Sequence, residues 1–178
     1  MEKEYKILAK EKAQIKEELM QEKNKPTERT QEVDIFQAEV SIVNTQLIRN
    51  QSATDEQIKN WATKYTTMAK NIDNIIDLSH AYGIDPTYIA ALVALETGYM
   101  EKGAALSHNN VSGIKNGADY QYYETFYDSI KDTVRLTALY TTYDPPLDTV
   151  EKISSVWSES STKAQKTLEI MLEIQKTE

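Results

Sequence analysis

Asp85-Pro86-Thr87-Tyr88-Ile89-Ala90-Ala91-Leu92-Val93-Ala94-Leu95-Glu96-Thr97-Gly98 decides how the rest of the chain is read. Asp85 caps free amides and Pro86 fits a first helical turn, so a helix starts here. Gly98 stops it, because glycine accepts the left-handed conformation that ends helices. Ile89, Leu92, Val93 and Glu96 stand at i, i+3, i+4 and i+7, which puts Glu96 on the apolar face. Glu96 also sits at the C-terminal end, where the macrodipole disfavours negative charge. Burial and dipole both favour the protonated carboxyl, and a glutamic acid that keeps its proton near neutral pH is what general acid catalysis needs. Most glutamates at helix ends are solvated, so spacing alone leaves the functional role open.

Outward from this helix, the glycines punctuate the chain. All five (Gly83, Gly98, Gly103, Gly113 and Gly117) fall within 35 residues, so irregular structure should concentrate between 83 and 118 and the flanks should be helical. Upstream, Thr54 and Gln57 make a capping box. Ile58, Trp61, Tyr65, Met68, Ile72 and Ile75 then step by three and four, which predicts one long amphipathic helix ending near Tyr82-Gly83. Further back, Val33, Phe36, Val40, Val43 and Leu47 keep the rhythm of a helix packed along one seam, and residues 1–25 carry only a thin apolar stripe. Polar breaks fall around Pro26 and over Asn50–Thr54.

Charge supports a boundary near residue 53. Residues 1–50 hold 9 basic and 10 acidic side chains, whereas 51–178 hold 11 and 18. The nearly neutral front, residues 1–53, reads as a helical stalk or docking segment, and the acidic remainder, 54–178, as a folded domain. The whole chain of 178 residues carries a formal charge of −8, which repels phosphate backbones and anionic lipid. Nucleic acid is therefore not an expected partner. With no Cys and only His80 and His108, there is no disulfide framework and no thiol nucleophile, and neither a metal nor another cofactor is expected. No segment approaches the ~20 apolar residues of a membrane span, and the start Met1-Glu2-Lys3-Glu4 is not a signal peptide. The chain reads as soluble and made without a cleaved export signal.

Ala90–Tyr99, followed by Asn109-Asn110-Val111-Ser112-Gly113-Ile114-Lys115, resembles the core of the lysozyme-like peptidoglycan hydrolases. The nearest branch is that of the endo-β-N-acetylglucosaminidases of flagellar muramidase type. The resemblance implies that Glu96 is the catalytic acid and that the Asn-Asn-x-x-Gly-Ile-Lys turn, with Gly113, walls the cleft. Thr97 stands where Ser is commoner in the family. Tyr122–Ile130 resembles the strand and helix start that follow, and Ile153–Ser158 with Ala164–Ile174 resembles the closing elements of lytic transglycosylases. The similarity spans roughly residues 70–178 and leaves 1–53 outside it.

Several further residues are candidates at such a site. The glucosaminidase branch carries a longer β-hairpin with a second acidic residue, whereas here only eight residues separate Lys115 from Glu124. Glu124, Asp119 and Asp128 are candidates for that carboxylate, and each equally suits a solvated loop or a helix start. With a second carboxylate, retaining or inverting hydrolysis is open. Without one, Glu96 would act as acid and then base while the sugar's own hydroxyl closes an anhydro ring. Seven of the 11 tyrosines fall between Tyr99 and Tyr143, and tyrosine faces and hydroxyls suit a sugar cleft. Tyr123 and Tyr143 stand out. Tyr143-Asp144-Pro145 resembles the tyrosine turn beside the family's catalytic site, with Tyr140 as an alternative alignment. Asn110 would hold either substrate or the turn itself. Lys115 suits a stem-peptide carboxylate or plain surface.

The expected fold is mostly α: a lysozyme-like domain of about six helices with a small β element, preceded by a helical stalk. The expected function is cleavage of the β-1,4 bond between N-acetylglucosamine and N-acetylmuramic acid in bacterial peptidoglycan. A structural alternative makes the domain a vestigial scaffold that residues 1–53 dock, as a helical oligomer, into a phage tail or secretion assembly. Lacking an export signal, such a protein would travel with a virion or reach the wall by that route.

Overall fold

The computed structural model describes residues 51–157 and 162–178. The expected stalk, including the two helical patterns before residue 50, lies outside the described residues. Helix α1 (Asp55–Ala62) opens with the capping box: Thr54 Oγ1 accepts from the Gln57 amide, and Gln57 Oε1 accepts from the Thr54 amide. Helix α2 (Thr66–Ala81) follows after a three-residue break. The long helix expected over Ile58–Ile75 is therefore two. Thr63 explains the stop, since its hydroxyl donates to the Asn60 carbonyl at 2.6 Å and competes with continued helix. The apolar rhythm survives the break because Ile58, Trp61, Met68, Ile72 and Ile75 all reach the same core.

Helix α3 (Pro86–Thr97) is the centre of the domain. Every residue from Pro86 to Ala94 is buried, so this helix is apolar all round rather than amphipathic, as a central helix must be. Its start is pinned twice. Asp85 accepts from the Thr87 amide at 2.8 Å, and it also accepts from the amide and hydroxyl of Ser52. Ala53, itself buried, donates its amide to Thr87 Oγ1.

Helices α4 (Ala104–His108), α5 (Phe126–Tyr140), α6 (Val150–Trp157) and α7 (Lys163–Gln175) complete the seven helices of the described residues. A hairpin of β1 (Lys115–Asn116) and β2 (Asp119–Tyr120) pairs antiparallel, Lys115 opposite Tyr120 and Asn116 opposite Asp119. The fold is the mostly α, lysozyme-like arrangement with a small β element that the resemblance implied. Packed around α3 are α1, α2 and α7, while α5 lies on α2 and α6 on α7. Ile58, Trp61, Met68, Ile75, Ile89, Leu92, Ile130, Ile153 and Ile174 are fully buried between them. Side chains of α1 tie down the chain's far end: Gln57 donates to the Gln175 carbonyl and Trp61 Nε1 to Glu173 Oε1. All five glycines have positive φ, in agreement with the irregular stretch expected between 83 and 118. No helix among the described residues is long and apolar enough to cross a membrane.

Candidate active site

Glu96 stands on the last turn of α3, and the backbone turns sharply just beyond it. Gly98, Tyr99 and Met100 all have positive φ, at 53°, 63° and 64°. For a tyrosine and a methionine that conformation costs about 1–2 kcal/mol each, so the surroundings must impose it. Thr97 does part of this, donating to the Val93 carbonyl and accepting from the Met100 amide at 2.8 Å. The Tyr99 ring stacks on Tyr65 at 3.8 Å and Met100 is fully buried, which offsets the strain. Strain of this kind, held by packing, fixes the helix end that carries Glu96.

The Glu96 side chain is 23% exposed, and its Oε1 contacts the ammonium of Lys163, the first residue of α7. The sequence pattern placed this carboxyl among apolar neighbours; the structure puts a cation there instead. Lys163 is only 6% exposed, and its Nζ lies 5.8 Å from the centre of the Trp157 ring. Trp157 meets Tyr140 edge-on at 6.1 Å, and Tyr140 meets Tyr143 edge-on at 5.6 Å. Beneath lies Tyr88, whose buried hydroxyl finds no hydrogen-bond partner. Burial pushes that phenol far above its usual pKa and the nearby Glu96 charge adds to the effect.

The other oxygen, Oε2, faces the turn at 110–114. A methyl group built on Gly113 would lie 3.6 Å from Glu96 Oε2 and 3.9 Å from the Tyr120 ring. Gly113, at φ 68°, therefore needs to be glycine for its backbone and lets the turn lie close against the carboxyl. Asn110 builds this turn and is completely buried. Its Nδ2 donates to the carbonyls of Ile114 and Gln121 at 2.7 and 2.9 Å, and its Oδ1 accepts from the amides of Ile114 and Ser112. Of its two suggested roles, the structure gives Asn110 that of holding the turn. Asn109 clamps the same turn to the Tyr123 and Glu124 carbonyls. Ser129 and Thr133 of α5 hold it from behind, through the Val111 amide and the Ser112 hydroxyl.

The remaining candidates are spread around this centre. Tyr123 donates its hydroxyl to Asp132 Oδ2 at 2.6 Å, and burial with that carboxylate raises its pKa far above the usual phenol value. Its polar tip is thus turned to α5. Tyr143 joins the site through Tyr140, which is buried in the core and leaves Tyr143 as the tyrosine of this pair with exposed surface. Glu124 is exposed on the loop before α5. Asp128 is bonded to Thr125 Oγ1 as part of the α5 cap. Because neighbours alternate along a strand and Tyr120 approaches Gly113, Asp119 takes the opposite face of the hairpin.

Lys163 and Tyr120 were not singled out by their sequence. Tyr120 is 42% exposed beside Lys115 and His108, and the still more exposed Tyr122 lies on the other side of His108, so one open tyrosine face stands next to Gly113 and a second lies farther along the same side. Gly117 was the available signal, since glycine as the first of two loop residues, Gly117-Ala118, favours a tight hairpin that places Tyr120 across from Lys115. For Lys163 no local signal exists: its partner is 67 positions away, and a lysine at a helix start reads as surface. Among the described residues no three His, Asp or Glu side chains converge on a metal-sized site.

The profile described as mannosyl-glycoprotein endo-beta-N-acetylglucosaminidase matches residues 72–166. That span begins in α2, holds Glu96, the 109–115 turn, the hairpin and Tyr143, and ends just after Lys163. None of the curated proteins compared with the chain matches it. A match over 95 of 178 residues, centred on the helix end and turn described above, makes this chain a member of the glucosaminidase family and thus of a family of glycosidases.

Proposed function

We propose that the chain cleaves the β-1,4-linked glycan backbone of bacterial peptidoglycan, with Glu96 as the general acid. The supporting observation is the position of its carboxyl: one oxygen tied to Lys163, the other turned to Gly113 and Tyr120. A sugar chain laid along the Gly113–Tyr122 side would present a glycosidic oxygen to Oε2. Tyr120 and Tyr122 offer exposed ring faces for pyranose rings, and Lys115 offers a cation for a stem-peptide carboxylate. Glu96 would protonate the leaving oxygen as the C1–O bond breaks, which typically contributes 10²–10⁴-fold to rate. Gly113 serves by leaving room, Asn110 by holding the turn, and Tyr143 by closing the far end of the Tyr140–Trp157 stack.

Of the second-carboxylate candidates, Asp119 faces away and Asp128 is engaged in a helix cap, so Glu124 is the one we assign to any hydrolytic role. Mass spectrometry of muropeptides released from purified peptidoglycan tests the proposal. Fragments cut within the glycan strand support it. Reducing ends that vanish in Glu124→Gln would mean hydrolysis with two carboxylates, and anhydro-muramic ends would mean a single-glutamate route. Intact glycan strands from several wall types would overturn it and favour a scaffold. Residues 1–53 we take as the docking element, and delivery with a virion or secretion assembly would follow from it; light scattering of the chain with and without them tests that role.

A further inference from the structure

We propose that Lys163 is a positioning residue for the glycosidase reaction, holding Glu96 Oε1 so that Oε2 is the oxygen offered to substrate, and countering the carboxylate that forms as the proton leaves. This rests on reading Glu96 as the general acid.

A buried lysine needs a reason. Lys163 is 6% exposed, and an ammonium out of water is costly unless a counter-charge meets it. Its position adds a second penalty, because it lies in the first turn of α7, where the macrodipole disfavours a cation. Glu96 has the mirror problem in its ionised form: it would be an anion on the last turn of α3, where the macrodipole disfavours negative charge. Each charge is wrong for its own helix and right for the other. The positive end of α7 meets the carboxylate, the negative end of α3 meets the ammonium, and the two side chains join in the contact between Nζ and Oε1. Neither placement is favourable alone, so the pair is a unit.

The surroundings hold that unit in register. The face of Trp157 covers Lys163 Nζ from α6, and α7 itself is fixed along α3 and tied to α1 through Gln57–Gln175 and Trp61–Glu173. Lys163 is thus delivered by a clamped helix rather than by a mobile side chain on the surface. The two carboxyl oxygens are made unequal. Oε1 is occupied by the ammonium, and Oε2 faces Gly113 and the open tyrosine side.

This asymmetry has a chemical consequence. For the cleavage step Glu96 carries its proton on Oε2 while Oε1 accepts from the ammonium; Oε2 gives that proton to the glycosidic oxygen, the electron pair of the C1–O bond leaves with that oxygen as a neutral hydroxyl, and C1 is left oxocarbenium-like. A full negative charge then appears on Glu96, while Lys163 keeps all its protons. A fixed ammonium in place before the reaction stabilises that charge without reorganisation. In the next step the oxygen of water or of the sugar's own hydroxyl bonds to C1 while its proton passes to the Glu96 carboxylate, with the same lysine orienting it.

The test compares the wild-type chain with Lys163→Met, Lys163→Arg and Glu96→Gln, using soluble glycan strands prepared from peptidoglycan. Lys163→Met keeps much of the shape and removes the charge. It should lower kcat about 10- to 100-fold and leave KM within about twofold, by analogy with loss of a preorganised charge-stabilising donor. Its thermal unfolding is measured alongside, because removing one partner of the pair leaves Glu96 without its counter-charge and should lower the melting temperature, so kcat is compared well below that temperature. Lys163→Arg should recover part of kcat. The Lys163 ammonium signal in nitrogen NMR should shift when Glu96 becomes Gln, a direct reading of the pair that does not require Lys163→Met to fold. A wild-type kcat in folded Lys163→Met, or an ammonium signal indifferent to Glu96→Gln, would overturn the inference. Full activity in Glu96→Gln would instead overturn the reading of Glu96 on which it rests.

Discussion

On the helical side of the site, Glu96 and Lys163 are charges drawn into partial or full burial and satisfied by each other, at the facing ends of two helices. On the turn side, the buried polar group is neutral Asn110, satisfied by backbone, and the side chains left open are the tyrosines Tyr120 and Tyr122. The helical side is built on α3, the most enclosed element of the domain, whereas the turn side is a loop stitched by hydrogen bonds. The contrast divides the labour. Packing fixes the group that moves a proton, and a hydrogen-bonded turn presents the surface that would meet a sugar. Substitutions on the first side should therefore act on kcat, and those on the second on stability or KM.

The largest effect on the turn side should come from Asn110→Ala. Losing one buried amide removes four hydrogen bonds and leaves the Ser112 and Ile114 amides without their acceptor, which should cost about 3 kcal/mol and lower the melting temperature by ~10 °C in a circular dichroism melt. Gly113→Ala should come next, since it acts where the two sides meet. Its φ of 68° makes alanine cost about 1–2 kcal/mol, and the added methyl would occupy the space beside Glu96 Oε2, in van der Waals contact with it on the substrate side. Activity should fall more than stability, by at least about tenfold, in a fragment-release assay run below the melting temperature. Tyr120→Ala should have the smallest effect: stability within about 0.5 kcal/mol, and KM raised several-fold at nearly constant kcat. A Tyr120→Ala variant that lost kcat instead would erase the proposed division between the two sides.

How much of this was readable in advance follows from the range of the signals. The start and stop of α3 were plain, because Asp85, Pro86 and Gly98 act within a turn of themselves. The capping box at Thr54 and Gln57 was readable for the same reason. The break between α1 and α2 was not, since a three-residue turn kept the apolar residues in step and only the Thr63 hydroxyl betrays it. Glu96 could be placed at a helix end from its spacing, but the cation against it came from α7, beyond the reach of any local pattern. Asn110 could be marked as important and not assigned, because an asparagine that holds a turn and one that holds a sugar look alike until its four bonds are seen. Tyr120 was hidden among many tyrosines, and only the hairpin register separates it from Tyr123, whose hydroxyl is taken by Asp132.

The central claim is that one carboxyl, Glu96, carries the proton for glycan cleavage, and Glu96→Gln tests it most directly. The amide keeps the size and polarity of the side chain and removes the transferable proton. Rates of fragment release from purified peptidoglycan by wild type and Glu96→Gln, with both shown folded by circular dichroism, should differ by at least about 10²-fold. Equal rates would contradict the account.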